Sequence, residues 1–169
     1  METSLITRGF TLIEMVVVLA VVGTIASFTA LQDLGAYSRA LAGTDVDSVV
    51  GALIKARSES MQGICATYGC EVAPAHGVMV SEHQVVVFEG PSYEGRAQSA
   101  DELFPLQGTD TISGTPEIVF KAYSGDSVEP ATLTLSNSTG ARWQVTIDSS
   151  GAVQSSIESA EPASLVVSK

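Results

Sequence analysis

Residues 8–31 read RGFTLIEMVVVLAVVGTIASFTAL, and this stretch decides what kind of chain it is. From Phe10 to Leu31 the only ionisable side chain is Glu14. A helix of this length rises about 30 Å, the hydrocarbon thickness of a bilayer. Arg8 stands just before the run, and positive charge on that flank keeps this end cytoplasmic and sends the remainder outward. A secretory signal would have a shorter apolar stretch and a small-residue cleavage site after it. It would also have no reason to keep a carboxylate near the start of the run, where burying an unpaired charge costs several kcal/mol. A cut between Gly9 and Phe10 would supply the reason. It would create an α-amine at Phe10, one helical turn from Glu14, able to neutralise that carboxylate in its own chain or in a neighbour's.

The segment Arg8-Gly9-Phe10-Thr11-Leu12-Ile13-Glu14, followed by the long apolar run, resembles the processing motif of type IV pilins and type II secretion pseudopilins. The resemblance implies cleavage after Gly9 by a prepilin peptidase and methylation of the new amine on Phe10. It also implies that Glu14 sets subunit registration in a filament. A plain signal anchor with a chance glutamate is the alternative. The expected location is the inner membrane in a single pass, with the C-terminal part in the periplasm or outside the cell, and afterwards a pilus or pseudopilus.

No proline occurs before residue 74, so one helix is free to run from Phe10 to about Gln62. Glycines 23, 35, 43 and 51 weaken it by up to about 1 kcal/mol each relative to alanine, and residues 35–43 are the expected bend or break. Val46, Val49, Val50, Leu53, Ile54 and Met61 recur at spacings of three and four, which marks an amphipathic stripe. Asp45, Asp47, Lys55, Arg57 and Glu59 fall mostly off it.

After Gly63 the pattern changes to period two. Strands are expected over 77–80, 84–89, 117–123, 131–136, 142–148 and 152–157, separated by Gly-Pro, Ser-Gly-Asp and Asn-Ser-Thr-Gly turns. Residues 90–114 read as a long surface loop with a turn of helix near 101–104. In 142–148, Trp143, Val145 and Ile147 alternate with polar residues, so one face packs against the amphipathic helix. The fold class is therefore α+β: a long N-terminal helix packed on an antiparallel β-sheet domain, the pilin-like architecture. The expected divisions are a cleaved leader at 1–9, a membrane and filament-core half-helix at 10–31, an amphipathic half at 32–62 and a β-rich domain at 63–169. The segment 53–60, the β-rich middle and the closing hairpins over 133–153 are similar to the FimT/GspH group of minor pilins and pseudopilins.

The chain holds 19 acidic against 8 basic side chains, a net charge of −11. That balance repels phosphate backbones and disfavours nucleic acid as a partner. Cys65 and Cys70 have no second pair or nearby histidine to complete a zinc site; a disulfide between them, closing the short 66–69 loop, is expected in an exported chain, with two buried thiols as the alternative. His76 and His83 read as surface residues rather than metal ligands. No EF-hand spacing for calcium, catalytic constellation, nucleotide signature or cofactor motif is visible. Asn137-Ser138-Thr139 reads as a tight turn or a glycosylation sequon. The expected protein is thus not an enzyme but a structural subunit. Its partners would be the prepilin peptidase, other pilins or pseudopilins, an inner-membrane assembly platform and membrane lipid. The alternative is a DNA-binding minor pilin at a pilus tip, for which the few basic residues are scattered.

Overall fold

The computed structural model describes residues 11–66, 71–109 and 111–158, with residues 28–35 described through their backbone alone. The chain divides into two compact units, Met1–Tyr37 and Ser38–Lys169. Helix α1 covers Leu12–Gln62 and stays helical through residues 35–43, so the break expected at the glycines does not occur. It ends at Gly63, whose φ of +62° is the left-handed conformation that terminates helices and that glycine adopts without strain.

Eight strands follow: β1 His76–Ser81, β2 Gln84–Glu89, β3 Glu102–Pro105, β4 Thr111–Gly114, β5 Glu117–Phe120, β6 Ala131–Ser136, β7 Arg142–Ile147 and β8 Val153–Glu158. They form two four-stranded antiparallel sheets, ordered β3-β2-β1-β5 and β4-β6-β7-β8. Strands β6 and β7 alternate buried and open residues, as half-buried strands must. One hydrophobic cluster joins Val46, Val49 and Leu53 of α1 to Val78 and Phe120 of the first sheet and to Leu133, Val145 and Trp143 of the second. Burial of this apolar surface is the main stabilising term, at about 25 cal/mol per Å² removed from water.

The helix stripe differs from the expected one. Ala42, Asp45, Val46, Val49, Ala52, Leu53, Ala56 and Ser60 are buried, whereas Ile54 is 55% and Met61 49% exposed. Small residues at 42, 52 and 56 bring the sheets close to the helix, and this moves the buried face away from Ile54 and Met61. Strand β2 is buried on both faces. Its inward residues Val85 and Val87 join the main core. Its other face is covered by the segment expected to be a surface loop. Tyr93 meets Phe88 edge-on at 5.6 Å, and the Arg96 guanidinium lies 3.7 Å from the Tyr93 ring centre and 2.9 Å from Asp101. Gly77 makes room for the Phe88 ring, since a Cβ there would sit 2.3 Å from it.

Residues 101–104 do not form a turn of helix. Residues 98–100 make a short 3-10 turn and 102–105 form β3, an edge strand closed by Pro105, which a sheet tolerates only at an edge. Strand β4 was also hidden inside the expected loop. Strand β5 ends at Phe120 rather than at 123. There Tyr123, at a φ of +65°, donates its N–H to the Ser60 carbonyl and turns the chain back towards α1.

Candidate functional site

The N-terminal motif is described from Thr11 onward; the expected cleavage site Gly9 and methylation site Phe10 lie outside the described residues. Thr11 caps α1. Its hydroxyl accepts the Glu14 N–H at 3.3 Å, and its carbonyl accepts the N–H groups of Glu14 at 3.1 Å and Met15 at 3.2 Å. Thr11 and Glu14 therefore stand at the first and last positions of a capping box, threonine at the cap and glutamate three residues on. The positive end of the helix dipole favours a carboxylate at this place. This capping role was legible in the spacing Thr-x-x-Glu but passes unnoticed when Glu14 is read only as a charge in an apolar run.

Every residue from 11 to 27 is exposed, including Leu12 at 83% and Leu19 at 67%. Apolar side chains point in every direction around the helix, so no single stripe could be buried by packing on one surface. Beyond the Thr11 cap, the two further hydroxyl groups of this stretch are satisfied locally. Thr24 Oγ1 donates to the Val21 carbonyl and Ser27 Oγ to the Gly23 carbonyl, each at 2.8 Å. Neither of these two hydroxyls is left needing water as an acceptor. Among the described residues no helix is long and apolar enough to cross a membrane.

Within the second unit, polar side chains fasten α1 to the sheet domain. Asp45, expected off the buried stripe, is 3% exposed and accepts the backbone N–H of Gln107 (3.0 and 3.1 Å) and of Gly108 (2.7 Å). Its burial corrects the reading of Asp45 as a residue off the buried stripe. Arg57 donates to the carbonyls of Gly125 (3.2 Å) and Ser150 (3.0 Å), joining two turns. Lys55 bridges Glu59 at 2.7 Å and Glu102 at 3.1 Å.

Near the end of α1, Ser60 Oγ accepts the His76 N–H at 2.9 Å and donates to the Phe120 carbonyl at 3.2 Å. His76 is buried, not a surface residue, with Nδ1 3.5 Å from Ser60 Oγ; His83 is exposed as expected. Burial pushes the His76 imidazole below its ordinary pKa, against the opposing pull of Glu59 and Glu89. Glu89, 6% exposed, accepts the Ala66 N–H at 2.7 Å, and its other oxygen lies 3.9 Å from Cys65 Sγ. Cys70 lies outside the described residues. Asn137 is buried and accepts from the N–H and hydroxyl of Thr139 and from the N–H of Ala141, the bonding of a tight turn. Among the described residues no group of three or more His, Cys, Asp or Glu side chains could hold a metal ion.

No curated protein and no solved structure matches the chain. Residues 7–30 match the family model described as the prokaryotic N-terminal methylation motif. The matched stretch contains the Gly9-Phe10 bond, the Thr11 cap, Glu14 and the exposed apolar helix. The chain thus carries the N-terminal signature of type IV pilin-like prepilins, proteins processed by a prepilin peptidase.

Proposed function

We propose that the protein is a minor pilin or pseudopilin, a structural subunit of a type IV pilus or of a type II secretion pseudopilus. The observation that carries this reading is the first turn of α1: a threonine-capped Glu14, four positions after Phe10 in the sequence, heading a helix whose apolar residues are exposed all round. Such a surface needs hydrocarbon before assembly and neighbouring helices after it. Cleavage after Gly9 frees the Phe10 amine, which becomes methylated. In the filament that amine neutralises Glu14 of its own or an adjacent subunit, so the acid is tolerated in an apolar core. Residues 1–9 are then the leader, 10–31 the membrane and filament segment, 32–62 the connecting half-helix and 63–169 the displayed domain. The expected disulfide between Cys65 and Cys70 suits a domain held outside the cytoplasm. The experiment is deletion of the gene, scored for exoprotein secretion and for piliation. Loss of either supports the subunit role; full retention of both overturns it.

A further inference from the structure

Strand β8 is the long unguarded edge of the sheet domain. It ends the order β4-β6-β7-β8 and pairs with β7 alone, so the N–H and C=O groups of its other side have no partner strand. An exposed edge of this kind is a template for a further strand, and proteins blunt such edges with proline, lysine, shortness or a cover. Among the described residues the other three edges are treated so. Strand β3 ends at Pro105 and its Glu102 pairs with Lys55. Strand β4 has four residues. The outer side of β5 is covered by the Phe120–Ser127 bridge and by the Val128 N–H on the Val119 carbonyl. Strand β8 runs for six residues, Val153–Glu158, and contains neither proline nor lysine.

Beside this edge lies a gap, wholly within the second unit. Ile157 stands opposite Trp143 in the β7–β8 register and shares its side of the sheet. Trp143 is 8% exposed, but Ile157 is 73% exposed, so α1 covers β7 and leaves this end of β8 open. Two adjoining hollows of about 570 and 480 Å³ fill the space between β8 and α1. Both are walled by Ala40 and Gly43 on the helix and by Trp143 and Ile157 on the sheet. A Cβ on Gly43 would meet nothing within 4 Å, so packing among the described residues does not require glycine there, although glycine weakens a helix. Arg39 and Glu158 stand at the first hollow and Asp47 at the second, and among the described residues none of the three forms an ion pair. We infer that β8 and this groove form a docking site for an extended segment of a partner protein, added as a further strand to the sheet. Main-chain hydrogen bonds to the free edge supply affinity, and alternate side chains entering the hollows supply selectivity. The inward positions take apolar residues against Trp143 and Ile157. An acid at the Arg39 end and a base at the Asp47 end complete the fit. A second copy of β8 lacks this chemistry, because its single charge is Glu158 and it has no base to meet Asp47.

The test uses the full chain purified in detergent. The probe is the synthetic peptide Glu-Val-Thr-Val-Thr-Val-Lys, acidic at one end, basic at the other and apolar at alternate positions. Binding is followed by the fluorescence of Trp143, the single tryptophan, and by hydrogen exchange of the β8 amides. The peptide should saturate the fluorescence change and slow exchange at alternate β8 amides at concentrations up to about 1 mM. The same peptide N-methylated at the alternate amides that face β8 loses main-chain bonds and should bind at least about tenfold more weakly. Gly43→Leu fills the groove with a better helix former and should weaken binding by at least about tenfold. Gly51→Leu, where a Cβ also meets nothing within 4 Å but which lines neither hollow, should bind like the parent. Unchanged β8 exchange at the highest peptide concentration overturns the proposal, as does equal binding by the methylated peptide or by Gly43→Leu. Protection of β8 that needs no peptide and grows with protein concentration would assign the edge to a second copy. A chain ended at Glu158 that binds where the full chain does not would assign the groove to the chain's own residues 159–169. Either result overturns the partner.

Discussion

Replacing Asp45 by alanine should cost the protein about 3 kcal/mol of stability. The carboxylate is buried in the contact between α1 and the 106–109 segment and accepts two backbone N–H groups, those of Gln107 and Gly108. Each would lose its partner, and a buried unsatisfied donor costs about 1–3 kcal/mol. Water cannot readily take the place of the carboxylate, because the segment presses on the helix: a Cβ at Gly108 would lie 2.3 Å from the Ala42 nitrogen. Asp45→Asn keeps the shape and one acceptor, so its loss should be about half as large. For a chain of this size 3 kcal/mol corresponds to roughly 10 °C in melting temperature. The assay is urea unfolding of the purified protein in detergent, followed by fluorescence of Trp143, the single tryptophan, which sits in the core. If Asp45→Ala unfolds within about 0.5 kcal/mol of the parent, the level expected of a neutral surface change, the clamp carries no weight and the reasoning fails.

Glu14→Ala should leave cleavage after Gly9 intact while removing the subunit from filaments; sheared-filament fractions that contain the variant at parental levels would contradict the role given to Glu14. Stability should fall as pH drops below about 6.5, the unfolded value for histidine. The folded imidazole of His76 has a lowered pKa, so the unfolded chain binds the proton first, and the loss levels off below the folded value. Urea midpoints across that window should show this slope in the parent and a shallower one in His76→Asn. Arg57→Met should speed hydrogen exchange at both turns tied by the guanidinium, around Gly125 and Ser150, and lower stability by about 1–3 kcal/mol.

The parts legible in the sequence are those written in a strong period. Strands β2, β6 and β7 declare themselves by alternation or by β-branched runs, and their observed limits differ little from the expected ones. The end of α1 at Gln62 follows from Gly63 and the change of period after it. The Thr11-x-x-Glu14 cap was also written there. Edge strands are harder. Each of β3 and β4 has four residues, open on most sides, so neither needs a periodic apolar pattern. Their pairing comes from the neighbouring strand, not from their own composition. The helix stripe was misplaced for a related reason. Hydrophobicity favours Ile54 and Met61, but close packing favours Ala42, Ala52 and Ala56, and a tertiary contact needs Asp45 inside. His76 escaped for the same cause: only the fold brings Ser60 and the Phe120 carbonyl beside it.

Intact-mass and N-terminal peptide analysis of the protein recovered from its native membrane bears most directly on the filament reading. The chain should begin at Phe10 and carry one methyl group on its amine. A protein that begins at Met1 in every fraction, with no trimmed form, would leave Glu14 without its neutralising partner and would contradict the subunit role.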